Sequence, residues 1–294
     1  MQVNEEGTRL DWDSEFLHEF RVSGRRTRSA LTQIKGVFPA RVADRFKQGF
    51  KWLGNITGPT RDLDVYLLKM PDYQQSLPEA ARGDLAPLVK FLKRRQQEEQ
   101  ARLAEVLESV RYQKMVQAWR QFLNEPIPVP TSLKNARRPI LDLASERIWK
   151  AFRRVTKKGR SITSETPAKL LHELRIDCKK LRYLLEFFRT LYDPGEMKSL
   201  IRSLKGLQDC LGDFNDYEVQ QNSLKEFAEQ MLSEGVAAAP TLLSMGCLID
   251  QFEQGQSNEK LKFEKMFGLF ANPENEERCR HLFRETAAQR RRSK

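Results

Sequence analysis

Two stretches of the chain hold residues whose types and spacing could do chemistry. Leu17-His18-Glu19-Phe20-Arg21-Val22-Ser23-Gly24-Arg25-Arg26-Thr27-Arg28 recurs as Leu171-His172-Glu173-Leu174-Arg175-Ile176-Asp177-Cys178-Lys179-Lys180-Leu181-Arg182. The offset, His18 to His172, is 154 residues. A histidine followed by four cations is neither a nucleophile–base pair nor a metal-ligand set. Its chemistry is the holding of anions: a guanidinium is planar and can bind two phosphate oxygens at once.

On a helix turning about 100° per residue, His18, Arg21, Arg25 and Arg28 fall in a strip about 80° wide. Phe16, Leu17, Phe20, Gly24 and Leu31 form an apolar stripe beside it. The second copy puts His172, Arg175, Lys179 and Arg182 in the strip, and Leu170, Leu174, Cys178, Leu181 and Leu185 in the stripe. Arg26 and Lys180 complete the two basic blocks. Lys35 and its partner Arg189 sit two turns on, near the strip's edge, so each strip is expected to run about 25 Å at about 1.5 Å per residue. Like charges three and four residues apart repel by a few tenths of a kcal/mol per pair. Such a strip is tolerable if something anionic lies on it. Because it borders the apolar stripe, it is expected to line a groove between helices.

The next helix of each half adds Arg41, Arg45 and Lys51, or Lys198, Arg202 and Lys205, each set spaced for one face. Antiparallel packing would bring that face opposite the strip. A second block then repeats at the same offset without a gap: Leu53 pairs with Leu207, Gly58 with Gly212, Asp62 with Asp216, Asp64 with Glu218 and Val65 with Val219. These acids read as helix-start residues that complement the helix dipole and hold basic side chains by ion pairing. A paired-carboxylate acid–base site is the alternative. His18 and His172 either contact a ligand or bridge helices through a buried hydrogen bond. With three histidines in all and no nearby Cys/Asp cluster, no metal site and no cofactor are expected.

Positioning such strips requires helices, and nearly every long segment has helical periodicity. Helices are expected at 12–38, 40–54, 60–70, 79–124, 133–157, 165–192, 195–211, 213–232, 238–254, 258–268 and 274–289, with no alternating strand pattern. Trp12, Trp52, Trp119 and Trp149 read as core residues. The run 126–132 alternates proline and reads as an extended linker between a first half at 1–125 and a second at 133–294. The 294 residues carry 51 Lys and Arg against 40 Asp and Glu, a net charge of +11, and 39 % are hydrophobic. That excludes a disordered basic tail and favours an anionic partner. The apolar stretch Val236–Ile249 is too short and too broken to span a membrane. The first residues lack a signal-peptide apolar region. Four scattered cysteines suggest reduced, mostly buried thiols, and the expected location is the cytoplasm.

The His-x-x-Arg-x-x-x-(Arg/Lys)-(Arg/Lys)-x-Arg block, present twice, and the paired segments Thr57–Val65 and Leu211–Val219 resemble the CHAD family, the conserved-histidine α-helical domain. The likeness runs from about Phe16 to the 270s. One departure is Thr27-Arg28-Ser29, where the second copy has Leu181-Arg182-Tyr183. The resemblance implies an all-α fold of two pseudo-symmetric four-helix-bundle halves around a basic central groove or pore that binds inorganic polyphosphate. It implies further that polyphosphate-metabolising enzymes are partners and that polyphosphate granules are a location. The acidic strand motif of the CYTH triphosphatases, often fused to this family, is absent.

Residues and resemblance together point to a non-enzymatic polyphosphate binder. Its two strips would form one channel, with the site set His18, Arg21, Arg25, Arg26, Arg28, Lys35, Arg45, Lys51, His172, Arg175, Lys179, Lys180, Arg182, Arg189, Arg202 and Lys205. An RNA binder is the first alternative, but no RRM, KH or helix-turn-helix signature appears, and nucleic acid is expected only as a nonspecific competitor. A phosphohydrolase is less favoured, for want of a phosphate loop, metal cluster or nucleophile–base pair. An adaptor to polyphosphate granules keeps the same fold.

Overall fold

The computed structural model describes residues 1–126 and 132–285, and every regular element among them is helical. Helices α1 (Glu5–Arg9), α2 (Ser14–Gln33), α3 (Ala40–Ile56), α4 (Gly58–Ser76), α5 (Ala86–Glu108) and α6 (Val110–Asn124) precede the proline run. Helices α7 (Ile140–Gly159), α8 (Ala168–Phe188), α9 (Pro194–Ser233), α10 (Ala239–Phe270) and α11 (Pro273–Arg280) follow it. Prolines mark several starts. Pro39, Pro139 and Pro167 hold extended backbone immediately before α3, α7 and α8, where a missing N–H costs no helical hydrogen bond. Of the linker read at 126–132, residues 127–131 lie outside the described residues.

Several boundaries differ from the periodicity reading, each for a local reason. α2 stops at Gln33, before Lys35, and Gly36 then takes φ +75°. A Cβ at Gly36 would meet the Asn135 amide nitrogen at 2.9 Å, and that amide donates to the Lys35 carbonyl at 2.7 Å. The span 79–124 is a 3₁₀ stretch (Glu79–Leu85) followed by two helices. Ser109 is extended (φ −67°, ψ 148°) and its Oγ accepts from the Tyr112 N–H at 3.3 Å, ending α5 and capping α6. Conversely, 195–232 and 238–268 form two unbroken helices, α9 and α10. Gly255 does not break α10; a Cβ there would meet the Tyr217 ring at 2.6 Å, so its role is close packing. Trp12, read as core, is 61 % exposed, and Leu170 is exposed as well.

The chain divides into two compact units. The first comprises Met1–Thr32, Phe38–Ser132 and Ser223–Asp250; the second comprises Gln33–Val37, Leu133–Asn222 and Gln251–Lys294. A division at 132/133 is thus joined by two exchanged pieces. The end of α9 belongs to the first unit because Phe227 packs edge-on to Tyr66 and against Phe91, at ring separations of 5.3 and 6.1 Å. At the start of α10 the Thr241 hydroxyl donates to the Asp84 carbonyl at 2.7 Å.

In the first unit, Leu17 and Phe20 of α2 meet Leu53 of α3, Leu103 and Leu107 of α5 and Tyr112 of α6. Beside them Leu31, Phe46 and Phe50 pack with Trp119 and Phe122. In the second unit one larger core joins α7, α8, α9, α10 and α11, including Phe152, Leu174, Cys178, Leu204, Leu211 and Phe270.

Candidate functional site

The α2 stripe drives Leu17, Phe20, Gly24 and Leu31 into the core, which leaves the adjacent strip at the rim of the seam with α3. There a cleft of about 240 Å³ opens, lined by Arg21, Arg25 and Arg28 of α2, by Phe20, Gly24, Phe50 and Leu53, and by Gly54, Asn55 and Thr57. Arg21 is anchored: its Nη1 donates to the Gly54 carbonyl at 2.9 Å and to Thr57 Oγ1 at 2.7 Å. Burial pushes the Arg21 pKa down; Asp62 opposes this, and Arg25 and Arg61 add to it. A guanidinium nonetheless stays charged at neutral pH. Arg25 is exposed and Arg28 half-buried, and neither pairs with a carboxylate among the described residues. Three cations therefore converge on one small cleft.

The other expected contacts of the first copy lie elsewhere. His18 is half-buried one turn before the cleft, where it forms with Glu15 and Glu19 a group whose ligand-type atoms all lie within 4.8 Å of one another. This local cluster was not anticipated from the residue types. Arg26 is exposed outside the cleft. Lys35 lies in the loop after α2, not on the strip's helix, and is exposed. Arg45 is exposed on α3, its guanidinium 5.4 Å from the Phe46 ring centroid, and Lys51 is exposed without lining the cleft.

In the second unit the strip of α8 is largely tied up. His172 is exposed and its Nδ1 lies 2.6 Å from Asn215 Oδ1. The half-buried Arg175 meets Asp216 at 3.3 Å, while its buried Nε has no hydrogen-bond partner. Lys179 is half-buried. Arg182 pairs with Glu186 at 3.4 Å and lies 5.7 Å from the Tyr183 ring centroid. Lys180 turns instead to the buried Asp177, at 3.1 Å. Arg189, in the turn beyond α8, lines a cleft with Thr190, Pro194, Met197, Lys198 and Ile201. Arg202 and Lys205 are exposed on α9.

The acids are not helix-start residues in both halves. Asp216 lies in the middle of α9, because α9 runs unbroken where α3 and α4 separate at Thr57. Of the four, Asp216 shows the ion-pairing role, with Arg175 at 3.3 Å. Burial raises the Asp62 pKa against the opposing pull of Arg21 and Arg61, although the residue keeps solvent access. Asp64 is buried and accepts from Gln96 at 3.1 Å; burial raises its pKa.

Asp177 escaped the sequence reading and meets three cations. It is 5 % exposed and meets Lys158 at 3.0 Å, Lys180 at 3.1 Å and Arg154 at 3.7 Å. Burial alone would raise its pKa, but the paired ammonium groups of Lys158 and Lys180 together outweigh burial and hold it below the usual carboxylate value. A folded-state pKa below the unfolded one contributes stability above the unfolded pKa, and that contribution is lost as pH falls through the folded one. Wild type is therefore expected to lose more unfolding free energy than Asp177→Asn between about pH 7 and about pH 3. Urea titrations at both pH values check this; parallel losses refute it.

The residues matched by the family model for the CHAD domain are 1–225. Among solved structures, the CHAD domain from the plant Ricinus communis superposes with a TM-score of 0.71 at 25 % identity, covering 90 % of this chain and 86 % of that one. PptA from Streptomyces chartreusis superposes with a TM-score of 0.64 at 14 % identity, over 90 % of this chain and 95 % of that one, a likeness of fold. Uncharacterized protein MT2285 of Mycobacterium tuberculosis is 27 % identical over 228 residues, 76 % of this chain and 41 % of its own length. The chain thus spans about two-fifths of the curated relatives it matches. No helix among the described residues is long and apolar enough to cross a membrane. With its all-helical fold, its doubled basic block and a family model matched over most of its length, the chain belongs to the CHAD domain family.

Proposed function

We propose that the protein is a non-enzymatic binding module for inorganic polyphosphate, engaged through the basic faces of α2 and α8 and of the helices that follow them. The observation that carries this is the cleft where Arg21, Arg25 and Arg28 converge. Like charges held this close repel, and a phosphate-dense chain relieves the repulsion at each contact. The site set given above supplies the proposed contacts in each unit, with Arg25 and Arg28 the principal ones of the first. Lys180, paired with Asp177, is the set's weakest member. Placement at polyphosphate granules and alongside polyphosphate-metabolising enzymes follows from the same reading.

Binding rests on phosphate charge and not on bases, so it depends on chain length and salt. Each neutralised phosphate releases counterions, and the logarithm of the binding constant falls by about 0.7 per contact for each tenfold rise in salt, by analogy with single strands. A titration against a ladder of polyphosphate lengths, with RNA and nucleotides at matched salt, checks the proposal. Affinity is expected to rise with chain length and to exceed that for RNA at equal phosphate. Preference for RNA would favour the nucleic-acid alternative. Phosphate release from polyphosphate with magnesium or manganese would overturn the non-enzymatic reading.

A further inference from the structure

The two copies of the basic block are not equivalent, and the differences point one way. At the 154-residue offset the first copy's Gly24, Gly54, Asn55 and Thr57 correspond to Cys178, Gln208, Asp209 and Leu211. The first set lines the cleft. In the second set Cys178 and Leu211 belong to the apolar core, and Gln208 is 7 % exposed with neither amide atom hydrogen-bonded. Gln208 thus occupies buried space at the position where the first unit has only the Gly54 backbone. Charge follows the same pattern. Ser23 and Thr32 of the first copy correspond to Asp177 and Glu186. Asp177 pairs with Lys180, the counterpart of Arg26, and Glu186 pairs with Arg182, the counterpart of Arg28, whereas Arg28 itself pairs with no carboxylate among the described residues.

We propose that the first unit's cleft is a discrete subsite for a short run of phosphate, such as pyrophosphate, tripolyphosphate or the end of a longer chain, and that the second copy has no such subsite at the corresponding position, where Cys178, Gln208 and Leu211 are buried, its Arg189 and Lys198 lining a separate cleft. This rests on the polyphosphate reading and adds a location and a stoichiometry. The cleft, at about 240 Å³, is below the roughly 300 Å³ at which pockets for drug-sized ligands begin. A small anion suits it better than a nucleoside does. Arg21 contributes a guanidinium pre-positioned by Gly54 and Thr57, with its Nε and Nη2 donors still available. Arg25 and Arg28 supply the remaining charge from the same helix face.

Gly54→Gln, which installs the second copy's residue, tests the subsite. A Cβ at Gly54 meets nothing within 4 Å, so the side chain enters open space, and glutamine is a better helix residue than glycine. The variant is expected to fold with undiminished thermal stability. Calorimetry with pyrophosphate and tripolyphosphate should give one site per wild-type chain and a loss of about tenfold or more in Gly54→Gln, which corresponds to about 1.4 kcal/mol. Long-chain polyphosphate should still bind the variant. Gly24→Cys, whose Cβ lies 3.8 Å from Phe50 Cδ1, is a second way to narrow the cleft and should act in the same direction. Two equal short-chain sites in wild type, or short-chain affinity unchanged in both variants while long chains bind, overturn the subsite alone. Wild type that binds neither short nor long chains overturns the polyphosphate reading itself.

Discussion

Replacing Arg25 and Arg28 together by alanine is expected to weaken long-chain polyphosphate binding by about a hundredfold at low salt. Hydrogen bonds to charged groups are worth about 1.5–3 kcal/mol each, and two at the lower limit correspond to that factor. The slope of log affinity against log salt should fall by about 1.4, or about 0.7 for each lost phosphate contact. Arg25 and Arg28 are chosen over Arg21 because Arg21 also ties α2 to the α3–α4 junction through Gly54 and Thr57. A double variant of Lys93 and Arg95 on α5 removes the same formal charge from a surface outside the cleft. It should change affinity only slightly. Filter binding of both variants across a salt series decides the matter; equal losses would mean that net charge and not the cleft governs binding.

Phe20→Ala is expected to lower unfolding free energy by about 3–5 kcal/mol, the usual cost of removing a large buried aromatic side chain and leaving a cavity. Phe20 is 1 % exposed and sits between Leu17, Leu53 and Tyr112, with the Tyr112 ring 6.5 Å away. It also forms the floor of the cleft. The loss should therefore appear in both urea unfolding and anion affinity. Phe20→Leu, which installs the second copy's Leu174, retains more apolar volume and should cost less on both counts. A Phe20→Ala protein that unfolds at the wild-type urea midpoint would refute this account of the first-unit core.

The positions of α2 and α8 could be read from sequence because each carries a long run of helical periodicity with one apolar stripe. Their starts, Ser14 and Ala168, are separated by the same 154 residues as the histidines. The break at Ser109 was harder to see. A single hydroxyl decides it, and the flanking Leu107 and Tyr112 are both core residues that fit a continuous stripe. The continuity of α9 past Gly212 was hidden for the opposite reason. A glycine suggests a stop, yet the surrounding leucines hold it within the helix. The Lys158–Asp177 pair was invisible because the two residues are 19 positions apart on different helices.

Sequence by itself determined the helical class, the doubled block and the one-sided placement of its cations, because all three follow from residue spacing along single helices. Tertiary structure decided which pairings form between helices and which cations border an open cleft. A charge strip has no memory of which acids will be brought to it. Lys180 and Arg182 find Asp177 and Glu186 on their own helix, but Arg175 meets Asp216 of α9 only through packing, and Gly54 leaves the first copy's Arg25 and Arg28 beside an open cleft. The affinity of a cation for phosphate depends on what already surrounds it, and that is settled only when the helices pack.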